Sequence, residues 1–234
     1  MNRIDLPQCP STSDHLKSLI AQGELMEDTW VTTPNQTSGR GQRGNTWISS
    51  PNSNISASVY KTWPAFPVEK SFLISQYIAT VLVQWLGDLG LTDAQLKWPN
   101  DILINKRKVS GLIAEVVGDG VVIGIGINVG MSEDQLPVET ATSLLVEGGV
   151  DLTRDEILCE VLEEFEDHFL QWDQGIDEVQ ALYVHLCGTL GKEVRVEYPG
   201  GATHLAIAES ISDIGALILD DGTHVQSADV IHLR

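Results

Sequence analysis

The sequence predicts an α+β fold: a mixed, largely antiparallel sheet with helices, followed by a small C-terminal β-barrel. Three observations carry this. Val109 to Val117 and Val121 to Val129 are strand-like runs joined by Gly118-Asp119-Gly120, a hairpin signal that makes neighbouring strands antiparallel. Ser71 to Leu89 keeps apolar residues at helical spacing long enough to form a core helix. Past Gly188 the texture changes to short strands separated by turn residues, which divides the chain into a larger unit over 1–187 and a small barrel over 188–234.

Taken in order, Ser11-Thr12-Ser13-Asp14 can cap a first helix carrying Leu16, Leu19 and Ile20. Thr29 to Thr33 reads as a strand ended by Pro34, and Ile55 to Lys61 alternates apolar residues with Ser56, Ser58 and Tyr60, a strand with one polar face. Gly90 stops the core helix. Leu96 to Trp98 and Ile102 to Ile104 are extended pieces punctuated by Pro99-Asn100-Asp101, with a turn at Asn105-Lys106-Arg107. Thr153 to Glu156 is a capping box leading a helix through Phe169, whose Glu160, Glu163, Glu164, Glu166 and Asp167 read as a solvated stripe. A shorter helix is expected from Asp177 to Leu186, then a linker over Gly188 to Gly191. The barrel strands are Val194 to Glu197, His204 to Ala208, Ala216 to Leu219 and Val230 to Leu233.

The 234 residues, 42% of them hydrophobic, suffice for a substantial core. No apolar run reaches the roughly 20 residues of a membrane span, and the first residues lack a signal-peptide pattern, so the cytoplasm is the expected compartment. Cys9, Cys159 and Cys187 are too few and too scattered for a disulfide framework or zinc knuckle. The formal net charge of −19 opposes binding to DNA or anionic membranes. Against it, Arg40, Arg43, Lys97, Lys106, Arg107 and Lys108 supply six of the 14 basic residues. They read as a local cleft for a small anion, or as scattered solvated charges.

Gly39-Arg40-Gly41-Gln42-Arg43-Gly44 places three glycines and two arginines in six residues, with Trp47 close behind. Clustered glycines let backbone N–H groups converge, and arginine adds planar donors for phosphate or carboxylate. The stretch reads as an anion site, or as a mobile surface loop or RGG-like nucleic-acid segment. Lys97-Trp98-Pro99-Asn100-Asp101, Lys108-Val109-Ser110-Gly111 and Gly124-Ile125-Gly126-Ile127-Asn128 follow as further polar islands in apolar surroundings. In the last, Ile123, Ile125 and Ile127 alternate with Gly124, Gly126 and Asn128. The bare face suits a flat ligand whose edge Asn128 reads, or a packed helix. The six histidines stand isolated, and no P-loop pattern occurs.

In this order the four motifs closely resemble the biotin protein ligases, whose catalytic fold is that of class II aminoacyl-tRNA synthetases. Gly215-Ala216-Leu217 through Leu233-Arg234 resembles the family's SH3-like barrel. The resemblance implies a biotin- and ATP-binding catalytic domain over 1–187, and no N-terminal winged helix, since few residues precede Ser11. It implies two-step chemistry: biotin and ATP give biotinyl-5'-AMP, then biotin passes to a lysine of a biotin carboxyl carrier domain of a biotin-dependent carboxylase. Carried over by motif, Ser11, Thr12 and Gln36 match contacts to the biotin ureido group. Gly39 and Arg40 match the closing loop, and Lys108 and Gly111 the rest of the biotin site, with Lys108 near its carboxylate. Arg43, Trp47, Asn100 and Asn128 fall on the nucleotide, Trp47 covering the adenylate. Arg40, Lys108 and Asp101 are the implied catalytic groups, Asp101 either holding the Mg2+ that accompanies ATP or accepting the incoming lysine's proton. No DNA and no membrane are implied as partners, and the chain is expected as a monomer or homodimer. Gln42 departs from the arginine of familiar members and Ser13 from a common asparagine. A lipoate- or octanoate-transferring relative and a non-catalytic ligand sensor are the rival readings. The glycine content predicts a loop over 39–45 that orders when ligand binds.

Overall fold

The computed structural model describes residues 1–63, 71–148, 152–169 and 172–233. The chain opens with β1 (Asn2–Asp5), a strand with no sequence signal, lying parallel to β2 (Thr29–Thr33). Between them α1 (Thr12–Ala21) begins where Ser11 Oγ accepts the Asp14 N–H, one of the donors a helix start leaves unpaired. The glycine loop is a small ribbon of β3 (Gly39–Arg40) against β4 (Thr46–Trp47), closed by Gly41 N–H donating to Asn45 O. β5 (Asn54–Thr62), α2 (Ser71–Asp88), β6 (Gln95–Lys97), β7 (Asp101–Ile104), β8 (Arg107–Val117) and β9 (Gly120–Asn128) follow as expected. Then come a short α3 (Leu144–Glu147), α4 (Arg154–Phe169) and α5 (Trp172–Leu186), which starts earlier than the expected Asp177. The last part holds β10 (Glu193–Glu197), β11 (Thr203–Ile211), β12 (Leu217–Leu219), β13 (His224–Val225) and β14 (Asp229–His232).

Seven strands form one sheet in the order β1-β2-β5-β9-β8-β7-β6, antiparallel except at β1–β2. Period-two alternation sorts its faces. Ile55, Ala57 and Val59 of β5 and Ile123, Ile125 and Ile127 of β9 join the core beneath α2. Tyr60 and Val122, from the alternate positions, pack with Leu16 under α1. α2 is buried on nearly every side because α4 and α5 cover it while β8 lies beneath. Truncating one of its buried leucines to alanine should cost about 2–5 kcal/mol.

Two expectations need correction. The acidic stripe of α4 is not merely solvated: Glu160 accepts from Trp85 Nε1 at 3.0 Å and Glu166 from Trp30 Nε1 at 3.2 Å, pairing two indoles at the edge of the core. Gly188 to Gly191 is no free linker. Gly188 N–H donates to Leu96 O, and the buried Thr189 accepts the Trp98 N–H on its hydroxyl. The C-terminal five-stranded sheet, β13-β12-β11-β10-β14, is antiparallel as expected of a barrel and docks directly on the rest. Gly215 O accepts from both Trp98 Nε1 and Gln76 Nε2, so Trp98 anchors the two sheets together. Arg234 lies outside the described residues. All three cysteines are free, and no described helix is long and apolar enough to cross a membrane.

Candidate functional site

A cavity of about 370 Å³ lies over the bare face of β9. The first turn of α1, the glycine loop, β7, β8 and the edge of β14 wall it. One end is uncharged. There Thr12 N–H donates to Gln36 Oε1 at 2.9 Å and the Thr12 hydroxyl contacts the same atom at 3.2 Å. Ser58 Oγ lies 2.7 Å from Thr12 Oγ1 and 2.8 Å from Ser13 Oγ. Ser58 pairs across the sheet with Gly124, where a Cβ would stand 2.8 Å from Ser13 Oγ. Glycine is required there so that the hydroxyl cluster can rest on the strand.

The other end is ionic. Lys108 Nζ meets Asp101 Oδ1 at 2.7 Å, and the reason is a bulge. Asp101 pairs with Gly111 and Ile102 with Ser110, but Leu103 pairs with Lys108, skipping Val109. Strict alternation would send Lys108 to the face opposite Gly111; the skipped residue returns it to the cavity. Its backbone is pinned on the other side, Lys108 N–H donating to Thr140 O and Thr142 N–H to Lys108 O. Lys97 lies nearby, and burial pulls its ammonium below the usual lysine value while the charge of Asp101 works the other way. The loop arginines are both paired off the loop, Arg40 with Asp14 of α1 at 2.5 Å and Arg43 with Asp229 of β14.

Ser11, Thr12, Gln36, Arg40, Arg43, Trp47, Asn100, Asp101, Lys108 and Gly111 all line this one cavity. Asn128 does not. Its Oδ1 accepts from Asn54 and its Nδ2 donates to Thr142 O, so the buried amide brackets β5 and β9 to the chain before α3, away from the cavity lining. Gly39 stands behind the loop, where a Cβ would lie 2.4 Å from Trp47 O; its bareness lets β3 approach β4. The bare face of β9 is not an open platform either. Trp47 lies on Gly126, which would bring a Cβ within 2.5 Å of the indole, and Lys108 Nζ sits 5.6 Å from the indole centroid. The Trp47 Nε1 is buried with no partner among the described residues. Of the six basic residues of the expected cleft, Lys106 and Arg107 fall outside; Arg107 pairs with Glu133 and Glu147. Sequence reasoning missed Asp14, Ser58 and Asp229. The polar alternation of β5 could have pointed to Ser58, whereas nothing local marks Asp229, 186 residues from Arg43.

Residues 6–132 match the biotin/lipoate A/B protein ligase family, and residues 189–233 match the biotin protein ligase C terminal domain. This chain belongs to the biotin protein ligase family. A biotin--[acetyl-CoA-carboxylase] ligase of Mycobacterium tuberculosis is 32% identical over 97% of this ligase and 87% of that protein. A ligase of the same name from Paracoccus denitrificans is 30% identical over 88% of this chain and 90% of its own. The biotin protein ligase of Aquifex aeolicus, solved in complex with biotin and ATP, shares the fold with a TM-score of 0.81 at 24% identity, covering 100% of this ligase and 99% of that chain.

Proposed function

We propose that this ligase joins the carboxylate of biotin to the α-phosphate of ATP and then passes the biotinyl group to a lysine of a biotin carboxyl carrier domain. One observation carries the reading: a single cavity with a hydroxyl-lined end and an ionic end built around Lys108 and Asp101. The uncharged end, with Ser11, Thr12 and Gln36, suits a neutral head rich in N–H and C=O such as the ureido ring. The cationic end suits a triphosphate.

In the first step a carboxylate oxygen attacks the α-phosphorus and the bond to pyrophosphate breaks. Two anions must approach each other, so a fixed ammonium at their meeting point lowers the barrier. Lys108 takes that part, beside Gly111, while Arg40 closes the loop over biotin and Arg43, Trp47 and Asn100 attend the nucleotide. In the second step the neutral amine of the carrier lysine attacks the biotinyl carbonyl. The C–O bond to AMP breaks and the proton leaves nitrogen for Asp101 or solvent. No covalent enzyme intermediate is needed, in keeping with the absence of a nucleophile motif.

ATP is expected to arrive with Mg2+. Among the described residues no three His, Cys, Asp or Glu side chains form a metal cluster, so a cage built by protein alone is not the arrangement. Asp101, a carboxylate in the cavity lining, would hold the ion together with phosphate oxygens, and magnesium bound there would supply charge neutralisation. We divide the chain into a catalytic unit over 1–187 and a barrel over 188–234. A charge of −19 supports an enzyme that avoids DNA and anionic membranes, and the cytoplasm is the compartment we propose for it. Incubation with biotin, ATP, magnesium and an acceptor carrier domain, followed by intact-mass measurement, should show one biotinyl group added to the acceptor. An acceptor of unchanged mass would refute the assignment.

A further inference from the structure

We infer that Ser58 sets the proton order of the cavity's uncharged end, making Ser13 Oγ a hydrogen-bond acceptor toward the ligand; this rests on reading that end as the ureido site. The order starts from a backbone N–H, which can only donate. Thr12 N–H donates to Gln36 at 2.9 Å, so the atom it meets is the carbonyl oxygen and not the amide nitrogen. That oxygen cannot donate, so across 3.2 Å the Thr12 hydroxyl gives it its only proton. Thr12 Oγ1 can then only accept, and Ser58, 2.7 Å away, must donate to it. With the Ser58 proton spent, Ser13 donates to Ser58 across 2.8 Å. Ser13 Oγ is left with lone pairs and no proton to offer.

Gln36 Nε2 meanwhile keeps both protons, since it makes no hydrogen bond among the described residues. Thr12, Ser13, Gln36 and Ser58 all line the cavity, and Ser58 is 0% exposed, which shields the chain of hydroxyls from reordering by bulk water. This end therefore offers a donor at Gln36 and an acceptor at Ser13. A ligand group with C=O and N–H satisfies both. One whose N–H is replaced by a second acceptor sets lone pair against lone pair, and a buried polar mismatch of that kind is strongly penalised. Ser58 is a positioning residue, acting through Ser13 rather than on the ligand.

The test is titration calorimetry on the full chain with biotin and with the two cyclic carbamates in which one ring N–H of biotin is replaced by oxygen. The weaker-binding carbamate should bind the unaltered chain about 10–100-fold less tightly than biotin. In Ser58→Ala the freed Ser13 hydroxyl can turn and donate, and the ratio should shrink to less than about 5-fold. Ser13→Ala should shrink it as far, and the double variant no further. A folded Ser58→Ala chain with the original ratio overturns the inference. Should that variant fail to fold, an undiminished ratio in Ser13→Ala overturns it equally. An unaltered chain that binds neither biotin nor the carbamates refutes the biotin reading itself, a separate outcome.

Discussion

The two ends of the cavity recognise by different physics. At the uncharged end, Thr12, Ser13 and Ser58 are buried, and selection depends on which oxygen carries a proton. Toward the ionic end and its loop, Lys108, Arg40 and Arg43 each hold a carboxylate, and every pair has a partner more than a third exposed. A phosphate there would meet Lys97, which has no ion pair among the described residues, beside three cations already paired, and in binding those three it would displace Asp101, Asp14 and Asp229. Direction of hydrogen bonding is unaffected by dissolved salt; exposed charge is screened within about 10 Å at 0.1 M.

The sharpest test of this contrast is Lys108→Ala. Biotin-dependent pyrophosphate release should fall by about 10²–10³-fold, as for loss of one preorganised electrostatic contact, while biotin affinity suffers far less. An unaltered burst of pyrophosphate would remove Lys108 from the chemistry. Next in size is Gly124→Ala, whose Cβ would press on Ser13 Oγ and Ile113 Cγ2, both at 2.8 Å. Overpacking of about 1–3 kcal/mol should weaken biotin binding about 5–100-fold and leave ATP binding nearly as it was. Equal losses for both ligands would mean that the ends are not separable.

Raising ionic strength from about 0.05 M to about 0.5 M should increase the KM for ATP several-fold and raise the Kd for biotin, which brings a single carboxylate to Lys108, much less. A biotin affinity that falls as steeply with salt as that for ATP would break the comparison. The smallest effect belongs to Asp229→Asn, which frees Arg43. A partly exposed pair is worth about 0.2–1 kcal/mol, so hydrogen exchange of amides 41–45 should quicken about 2–5-fold. Unchanged exchange would show that the β3–β4 ribbon orders the loop without help from β14.

Much of this molecule was legible in one dimension. The hairpin of β8 and β9 followed from Gly118-Asp119-Gly120, the helix α2 from its apolar spacing, and the bare face of β9 from its alternating glycines. β1 escaped because four residues of mixed polarity show no period, and it exists only by pairing with β2. Asn128 misled because a motif shows which residue is present without showing whether it reaches the cavity. The arginines of the glycine loop were visible, but their partners stand on α1 and β14, brought near by closure of the fold.

Local pattern thus determined the elements, the antiparallel pairing, the family motifs and the kinds of atom gathered for a ligand, because propensity and periodicity act between residues a few positions apart. Only the tertiary structure decided that Lys108 faces Asp101, that Trp47 rests on Gly126, and that Ser58 orders the hydroxyls of Thr12 and Ser13. Those outcomes hang on a single skipped residue in a strand register and on contacts near 2.8 Å between distant segments. A shift of one residue turns a side chain to the opposite face of the sheet, and no short-range pattern specifies it.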